Sequence, residues 1–268
     1  KFAPSILDSL DAKNGLEIGR MIAESHYRKN EYKEALPYLL DYERNSSAAD
    51  RTDFYQLAYC YYKTGEFEKA IPYFQKVTSG NDLLAQNSYF LLADSYVKTN
   101  AKRSARTAFE SAAKMTFDTE IQEESQFNFA KLSNELSYQS VALEAFRVFL
   151  EKFPTSLHVD EANEMLVGIY TNTRNYKDAL IAIESIKVKT SLVKAAYQKV
   201  AFYRGVEFFM DNKSAEAIQM FNISLTNPID APLAAEANYW KGEAYYRLGD
   251  FDKSLKSYND FLYTPSAV

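Results

Sequence analysis

The stretch Phe54-Tyr-Gln-Leu-Ala-Tyr-Cys-Tyr-Tyr-Lys-Thr-Gly-Glu-Phe-Glu-Lys-Ala-Ile-Pro-Tyr-Phe74 decides the fold. Ala58 and Tyr61 stand three residues apart, and Ala70 and Phe74 four, so each pair lies on one face of a helix. Lys63-Thr64-Gly65-Glu66 is a short polar break between them. Two apolar faces joined by so short a break make an antiparallel helical hairpin.

The pattern repeats along the chain. Ala35, Ala70, Ala105, Ala142, Ala179, Ala217 and Ser254 fall 35, 35, 37, 37, 38 and 37 residues apart. Four residues after each comes a large one: Leu39, Phe74, Phe109, Phe146, Ile183, Phe221 and Tyr258. Twelve residues before each comes a slim one: Ala23, Ala58, Ala93, Ala130, Val167, Gly205 and Gly242. Three beyond that stand His26, Tyr61, Tyr96, Ser133, Tyr170, Phe208 and Tyr245. Small residues allow two helices to approach, and the large residue a turn away fills the space beside that contact. One hairpin cannot bury both of its faces, so copies must stack.

These residues resemble the tetratricopeptide repeat, above all Phe54–Phe74 and Tyr239-Trp-Lys-Gly-Glu-Ala-Tyr-Tyr-Arg-Leu-Gly-Asp-Phe-Asp-Lys-Ser-Leu-Lys-Ser-Tyr258. The resemblance implies an all-α fold, a right-handed α-solenoid of about seven helical hairpins. The repeats are placed at 16–50, 51–85, 86–122, 123–159, 160–197, 198–234 and 235–268 and are expected to form one continuous solenoid. Residues 1–15 read as the tail of a preceding second helix and a turn. With Lys1 in place of Met and no polar helix beyond Pro265 to cover the last apolar face, the chain is read as a fragment of a larger protein. The extra residues of the later copies fall between hairpins, where they cost little closure entropy. Pro154, Pro228 and Pro265 are expected to stop second helices, and Pro37 and Pro72 to lie within about a turn of a second helix's start.

Composition narrows the function. The chain is 47% hydrophobic and 25% charged, with only 8 Gly and 7 Pro, too few turn residues for a sandwich or barrel. Net charge is −5 and the pI about 5.3, without the basic footprint of a nucleic-acid binder. No run approaches the roughly 18 apolar residues of a membrane-spanning helix. Cys60 is the single cysteine, so no internal disulfide framework and no multi-cysteine metal site can form.

Catalytic chemistry finds little to work with, and no catalytic residue, cofactor or metal site is assigned. His26 occupies the position usually held by Tyr, where a packed, hydrogen-bonded histidine is expected, and His158 lies in a repeat junction. Cys60 reads as a structural thiol. The glycines are scattered, with no phosphate-binding loop, and the carboxylate pairs lie near helix starts.

The family resemblance implies that first helices line a concave groove. Its positions here include Tyr55, Tyr59 and Tyr62; Phe90; Phe127 and Asn128; Tyr203; and Tyr239, Trp240, Tyr246 and Arg247. Such aromatics suit a protein or peptide partner of unknown identity. The alternative is a purely structural or self-assembling spacer whose groove is filled by its own side chains. The chaperone-tail carboxylate clamp is absent, since its positions hold Arg20, Glu24, Gln56, Asn87 and Leu91. Where five repeats carry Ile22, Leu57, Leu92, Phe129 and Leu166, the last two carry Arg204 and Lys241. A cation at a half-buried apolar position needs a partner, and Glu207 and Glu243 are the candidates. Together they outline a polar pocket walled by Tyr203 and Trp240. The tyrosine-rich repeats further resemble long multi-repeat proteins of the Gram-negative envelope, outer-membrane assembly lipoproteins and Tol–Pal coordinators. That resemblance implies a periplasmic or outer-membrane-associated setting, with a cytoplasmic one as the alternative, and no insertion of this segment into a membrane.

Overall fold

The computed structural model describes residues 12–187 and 189–263. The expected tail at 1–11, the junction residue Val188 and the stop at Pro265 lie outside them. Among the described residues are fourteen helices and no strand. They are α1 Ala12–Arg28, α2 Tyr32–Asn45, α3 Arg51–Lys63, α4 Phe67–Val77, α5 Leu83–Lys98, α6 Lys102–Lys114 and α7 Thr119–Glu135. The remainder are α8 Gln139–Lys152, α9 Val159–Asn172, α10 Tyr176–Ser185, α11 Ser191–Met210, α12 Ser214–Ser224, α13 Ala231–Arg247 and α14 Phe251–Leu262. Contacts divide the chain into two compact units, 1–145 and 146–268, with the boundary inside α8. Within each unit a helix packs on its neighbours in sequence, and first helices also touch: α3 with α5, α5 with α7, α9 with α11 and α11 with α13.

Each hairpin closes on the small residues. Ala23, Ala35, Ala58, Ala70, Ala93 and Ala105 are wholly buried in the first unit, as are Ala179 and Ala217 in the second. The tightest approaches are at the glycines. A Cβ on Gly205 would lie 2.7 Å from the Phe221 ring, and one on Gly242 would lie 2.8 Å from the Tyr258 ring. Ser254, where the other hairpins have Ala, donates its hydroxyl to the Gly242 carbonyl at 2.9 Å across the same contact.

The turn inside each hairpin is the same object seven times. Residues Asn30, Gly65, Asn100, Ser137, Arg174, Asn212 and Gly249 all have positive φ, between 57° and 81°. Each lies five residues before its anchor. The next residue's N–H reaches back to the carbonyl of His26, Tyr61, Tyr96, Ser133, Tyr170, Phe208 or Tyr245, at 2.7 to 3.1 Å. That is the six-to-one bond of a Schellman motif, which satisfies an orphan carbonyl at the end of the first helix. The recurring aromatic position therefore also marks where the first helix is capped. Only two of the seven left-handed residues are glycine, so the break was visible in sequence but its geometry was not.

Helix starts run ahead of the apolar periodicity, because polar caps set them. Asp82, Asp118, Thr190 and Asp230 accept from the N–H three residues on. They start α5, α7, α11 and α13 at Leu83, Thr119, Ser191 and Ala231, before the expected Gln86, Glu123, Gln198 and Ala235. Helix α1 likewise begins at Ala12, so 12–15 are helical where a turn was expected. Pro37 and Pro72 are each the sixth residue of their helix, beyond the first turn in which they were expected. Both are exposed, and the carbonyls they leave without a donor belong to the exposed Lys33 and Glu68, where water can serve.

A buried glutamine ties successive hairpins together. Gln86 accepts from the Asp118 N–H at 2.8 Å and donates to the Asp118 carbonyl at 2.9 Å. Gln198 makes the same two bonds to Asp230, both at 2.8 Å. Each glutamine is at most 1% exposed, and each grips the backbone of the residue that caps the next first helix. Arg51 holds the corresponding cap Asp82 by its side chain at 2.7 Å, which pulls that carboxyl down to about 2.

Gly205→Ala should lower stability by ~1–3 kcal/mol in urea unfolding despite alanine's better helix propensity, because the buried Phe221 ring must move. Gly168→Ala, in α9 with nothing within 4 Å of the added methyl, should raise it by ~0.5–1 kcal/mol. Gly65→Ala should cost about 1 kcal/mol, since φ is +81° there, and Ser137→Gly should gain up to about that amount. Gln198→Leu should cost ~1–3 kcal/mol by stranding the buried Asp230 backbone groups.

Candidate functional site

In the first unit the groove tyrosines bind one another and the next hairpin. Tyr55 stacks on Tyr59 with ring centroids 5.8 Å apart, and its hydroxyl donates to Asn87 at 3.0 Å. Tyr62 packs edge-on against Phe67 at 5.6 Å and donates to Asp94 at 2.7 Å. Tyr59 is closed over by Tyr27 and Tyr32, at 5.6 and 5.7 Å. Burial, the leading cause, raises the phenols of Tyr27, Tyr55 and Tyr62 well above the ordinary tyrosine value, so all three stay protonated donors. Phe90 sits edge-on to Phe109 at 5.9 Å, Phe127 is 3% exposed, and Asn128 donates to its own helix at the Glu124 carbonyl.

Two single residues read as structural stay so. His26 Nδ1 lies 2.7 Å from a Glu31 carboxylate oxygen, and its ring stacks on Tyr38. Cys60 is wholly buried, and burial pushes its thiol up to about 12, far from the thiolate a nucleophile requires.

The second unit presents two adjoining cavities on its first helices. Helices α9 and α11 border a cavity of about 330 Å³ lined by Val167, Gly168, Ala195 and Ala196, and by Leu192 and Leu233. Thr171, Asn172 and Lys199 also line an adjoining cavity of about 610 Å³ bounded by Arg174, Tyr176, Tyr203 and Glu207. The two cavities adjoin at those three residues and together form a trough along the two first helices. Leu192 is 74% exposed beside it. Of the expected groove positions, Tyr203 lines this trough, its ring stacked on Tyr176 at 5.3 Å. Glu164, also a groove position, and Glu207, expected in the polar pocket, line it too; the rest of the lining was not anticipated. Its small residues look like packing positions, and Leu192 to Ala196 precede the expected repeat start. The clue was the helical spacing Leu192, Ala195, Ala196, Lys199, Tyr203, which continues the face of Tyr203 eleven residues upstream.

The remaining positions are placed as follows. Trp240 packs edge-on to Phe209 at 5.2 Å, and the Arg247 guanidinium lies 3.6 Å over that same Phe209 ring. Tyr239 and Tyr246 are 38% and 60% exposed. Arg204 pairs with Glu207 at 2.7 Å and lies over the Phe208 ring at 4.2 Å. The second expected pair is not made: Glu243 accepts from the Tyr258 hydroxyl at 2.6 Å instead. Lys241 has no ion pair within 4 Å among the described residues, and burial, opposed by the charge of Asp260, lowers its pKa. Tyr203 faces Tyr176 and Trp240 faces Phe209, so the two expected walls of a polar pocket look onto different neighbours.

Comparison with known proteins agrees with this architecture. Family matches described as tetratricopeptide repeat fall on residues 204–266 and 54–79. No curated protein matches the chain in sequence. Among solved structures, the chain is similar to the TPR2AB domain of yeast Sti1 in a complex with pHSP90: 14% identity, 93% of this chain, 90% of that one and a TM-score of 0.50. It is also similar to Naa15/Naa10 bound to HypK-THB, at 14% identity, 92% of this chain and a TM-score of 0.53, where it spans 36% of that chain's length. The apo form of RapI matches at 16% identity over 92% of this chain and 96% of that one, with a TM-score of 0.47. The family matches show that the chain carries tetratricopeptide repeats, and it has the helical solenoid fold of the Sti1 domain.

Lys241→Met should stabilise the fold at neutral pH, because it removes a desolvated cation without an ion pair. A lysine pKa lowered on folding means the unfolded chain binds more protons, so the native protein gains stability as pH rises toward the ordinary value of 10.5. The difference in melting temperature between Lys241→Met and the parent should therefore shrink over that range. A constant difference would show that charge burial is not its cause.

Proposed function

We propose that the chain is a non-catalytic scaffold that binds a protein or peptide segment, and that the trough between α9 and α11 is its principal contact surface. The carrying observation is that trough: two adjoining cavities on the first helices, the one at Gly168 mostly apolar, with a large exposed leucine beside it. Tetratricopeptide scaffolds typically mediate protein–protein interaction and are generally non-catalytic, which supports the reading. The exposed Tyr239 and Tyr246 extend the candidate surface onto α13, with Trp240 and Arg247 beside them. In the first unit the mutual packing of Tyr55, Tyr59 and Tyr62 favours the self-filled, structural reading for those positions.

A nucleic-acid partner is not part of the proposal, given the net charge of −5. No helix among the described residues is long and apolar enough to cross a membrane. The cell-envelope setting suggested by the tyrosine-rich repeats finds no support in the comparisons, and the binding role does not depend on it.

Selection of a random displayed-peptide library on the chain should enrich peptides that compete for one site. Gly168→Trp fills the trough from a position with open space above it and should abolish their binding. A Tyr55/Tyr59/Tyr62 alanine variant that remains folded should retain it. Enriched peptides indifferent to Gly168→Trp would refute the trough as the contact surface.

A further inference from the structure

The trough is asymmetric in both shape and charge. Around Gly168, helix α9 presents bare backbone, since a side chain there would meet nothing within 4 Å. Ala195 and Ala196 keep the opposite wall low, so the middle of the trough has room for one large apolar side chain. Toward the start of α11 the polar groups are acidic. Glu164 accepts from the Thr190 hydroxyl at 3.1 Å, and Asp230 caps α13.

Cations enter at the junction of the two cavities and continue into the second. Lys199 is exposed and lines both cavities, and Arg174 is exposed at the left-handed position of its turn. Neither has an ion pair among the described residues. Glu207, the acid of the second cavity, is already paired to Arg204 at 2.7 Å. Two cations without ion pairs, Lys199 where the cavities adjoin and Arg174 in the second, therefore lie beyond Gly168, while Glu164 and Asp230 line only the first cavity.

We propose that the trough takes an acidic–apolar peptide segment, with one large apolar side chain seated over Gly168 and a carboxylate of the same segment over Lys199 and Arg174. This rests on the trough being the binding surface and adds the chemistry of its ligand. The helix sets the spacing. Lys199 lies seven residues beyond Leu192 and three beyond Ala196 in α11, which at 1.5 Å per residue is about 10 and about 5 Å. An extended peptide advances about 3.3 Å per residue, so the carboxylate belongs two or three residues from the apolar anchor. This charge asymmetry also fixes which way the segment runs.

The test uses two labelled peptides in a Gly/Ser host, one with Leu and Glu three residues apart and one with Leu and Lys, measured by fluorescence anisotropy at low salt on the full chain. The Leu/Glu peptide should bind about tenfold tighter, and added salt should erode the difference. Arg174→Gly combined with Lys199→Glu should reverse the preference. The first change relieves a left-handed arginine and the second is exposed, so neither threatens the fold. Gly168→Trp should abolish binding of both peptides, and so should Leu192→Asp, at an exposed position that leaves packing intact. Failure of both peptides to bind, or an unchanged preference after charge reversal, overturns the proposal. If library-selected peptides still compete at the trough but lack the carboxylate, this inference falls while the binding reading stands.

Discussion

Helices can touch only as closely as their smallest facing side chains permit, and every hairpin here is built on that limit. An alanine, glycine or, at Val167, valine on the first helix is matched to a leucine, isoleucine, phenylalanine or tyrosine on the second. At Gly205 and Gly242 the aromatic ring occupies the very space a Cβ would need. The interhelical distance follows from this contact, and the positions of the turn and of the next hairpin follow from that distance. The buried anchors contribute little apolar area themselves. What they permit is dense packing by Phe74, Phe146, Phe149 and Phe221, each without measurable exposure.

This constraint is legible in sequence because it demands a residue size at a fixed spacing, and spacing survives wide variation elsewhere. The left-handed turn was less legible. Asn30, Asn100 and Asn212 tolerate that conformation through their short polar side chains, whereas Ser137 and Arg174 carry no such mark. Gln86 and Gln198 were hidden for another reason. A polar residue at the start of a repeat resembles ordinary helix surface until the chain returns 32 residues later to place a backbone amide and carbonyl against it. The two cations were half legible: Arg204 finds Glu207 one helical turn away, but Glu243 is claimed by Tyr258 from another helix, which no local spacing reveals.

The candidate surface divides along the same line. Groove positions were expected to be aromatic, and the first unit spends its aromatics on itself, since Tyr55 and Tyr62 each find an acceptor 32 residues on. In the second unit the open surface comes from the small residues of α9 and α11, the opposite of the expected signature. A row of rings does not make a groove available. Shape depends on what is missing from a helix face as much as on what is present, and glycine and alanine are easily read as packing alone.

The seven left-handed turns stand at a constant five residues from their anchors, while the distance between successive anchors varies from 35 to 38 residues. Tolerance to length change is therefore unequal along the chain. Within a hairpin, adding one residue would rotate the whole second helix by about 100° and turn its large residue away from the small one. Between hairpins, at segments such as 153–158 and 225–230, residues have been gained without disturbing that phase. Those junctions are where insertions can accumulate, where a reporter loop can be grafted, and where related chains can differ in length while keeping the same helices in register.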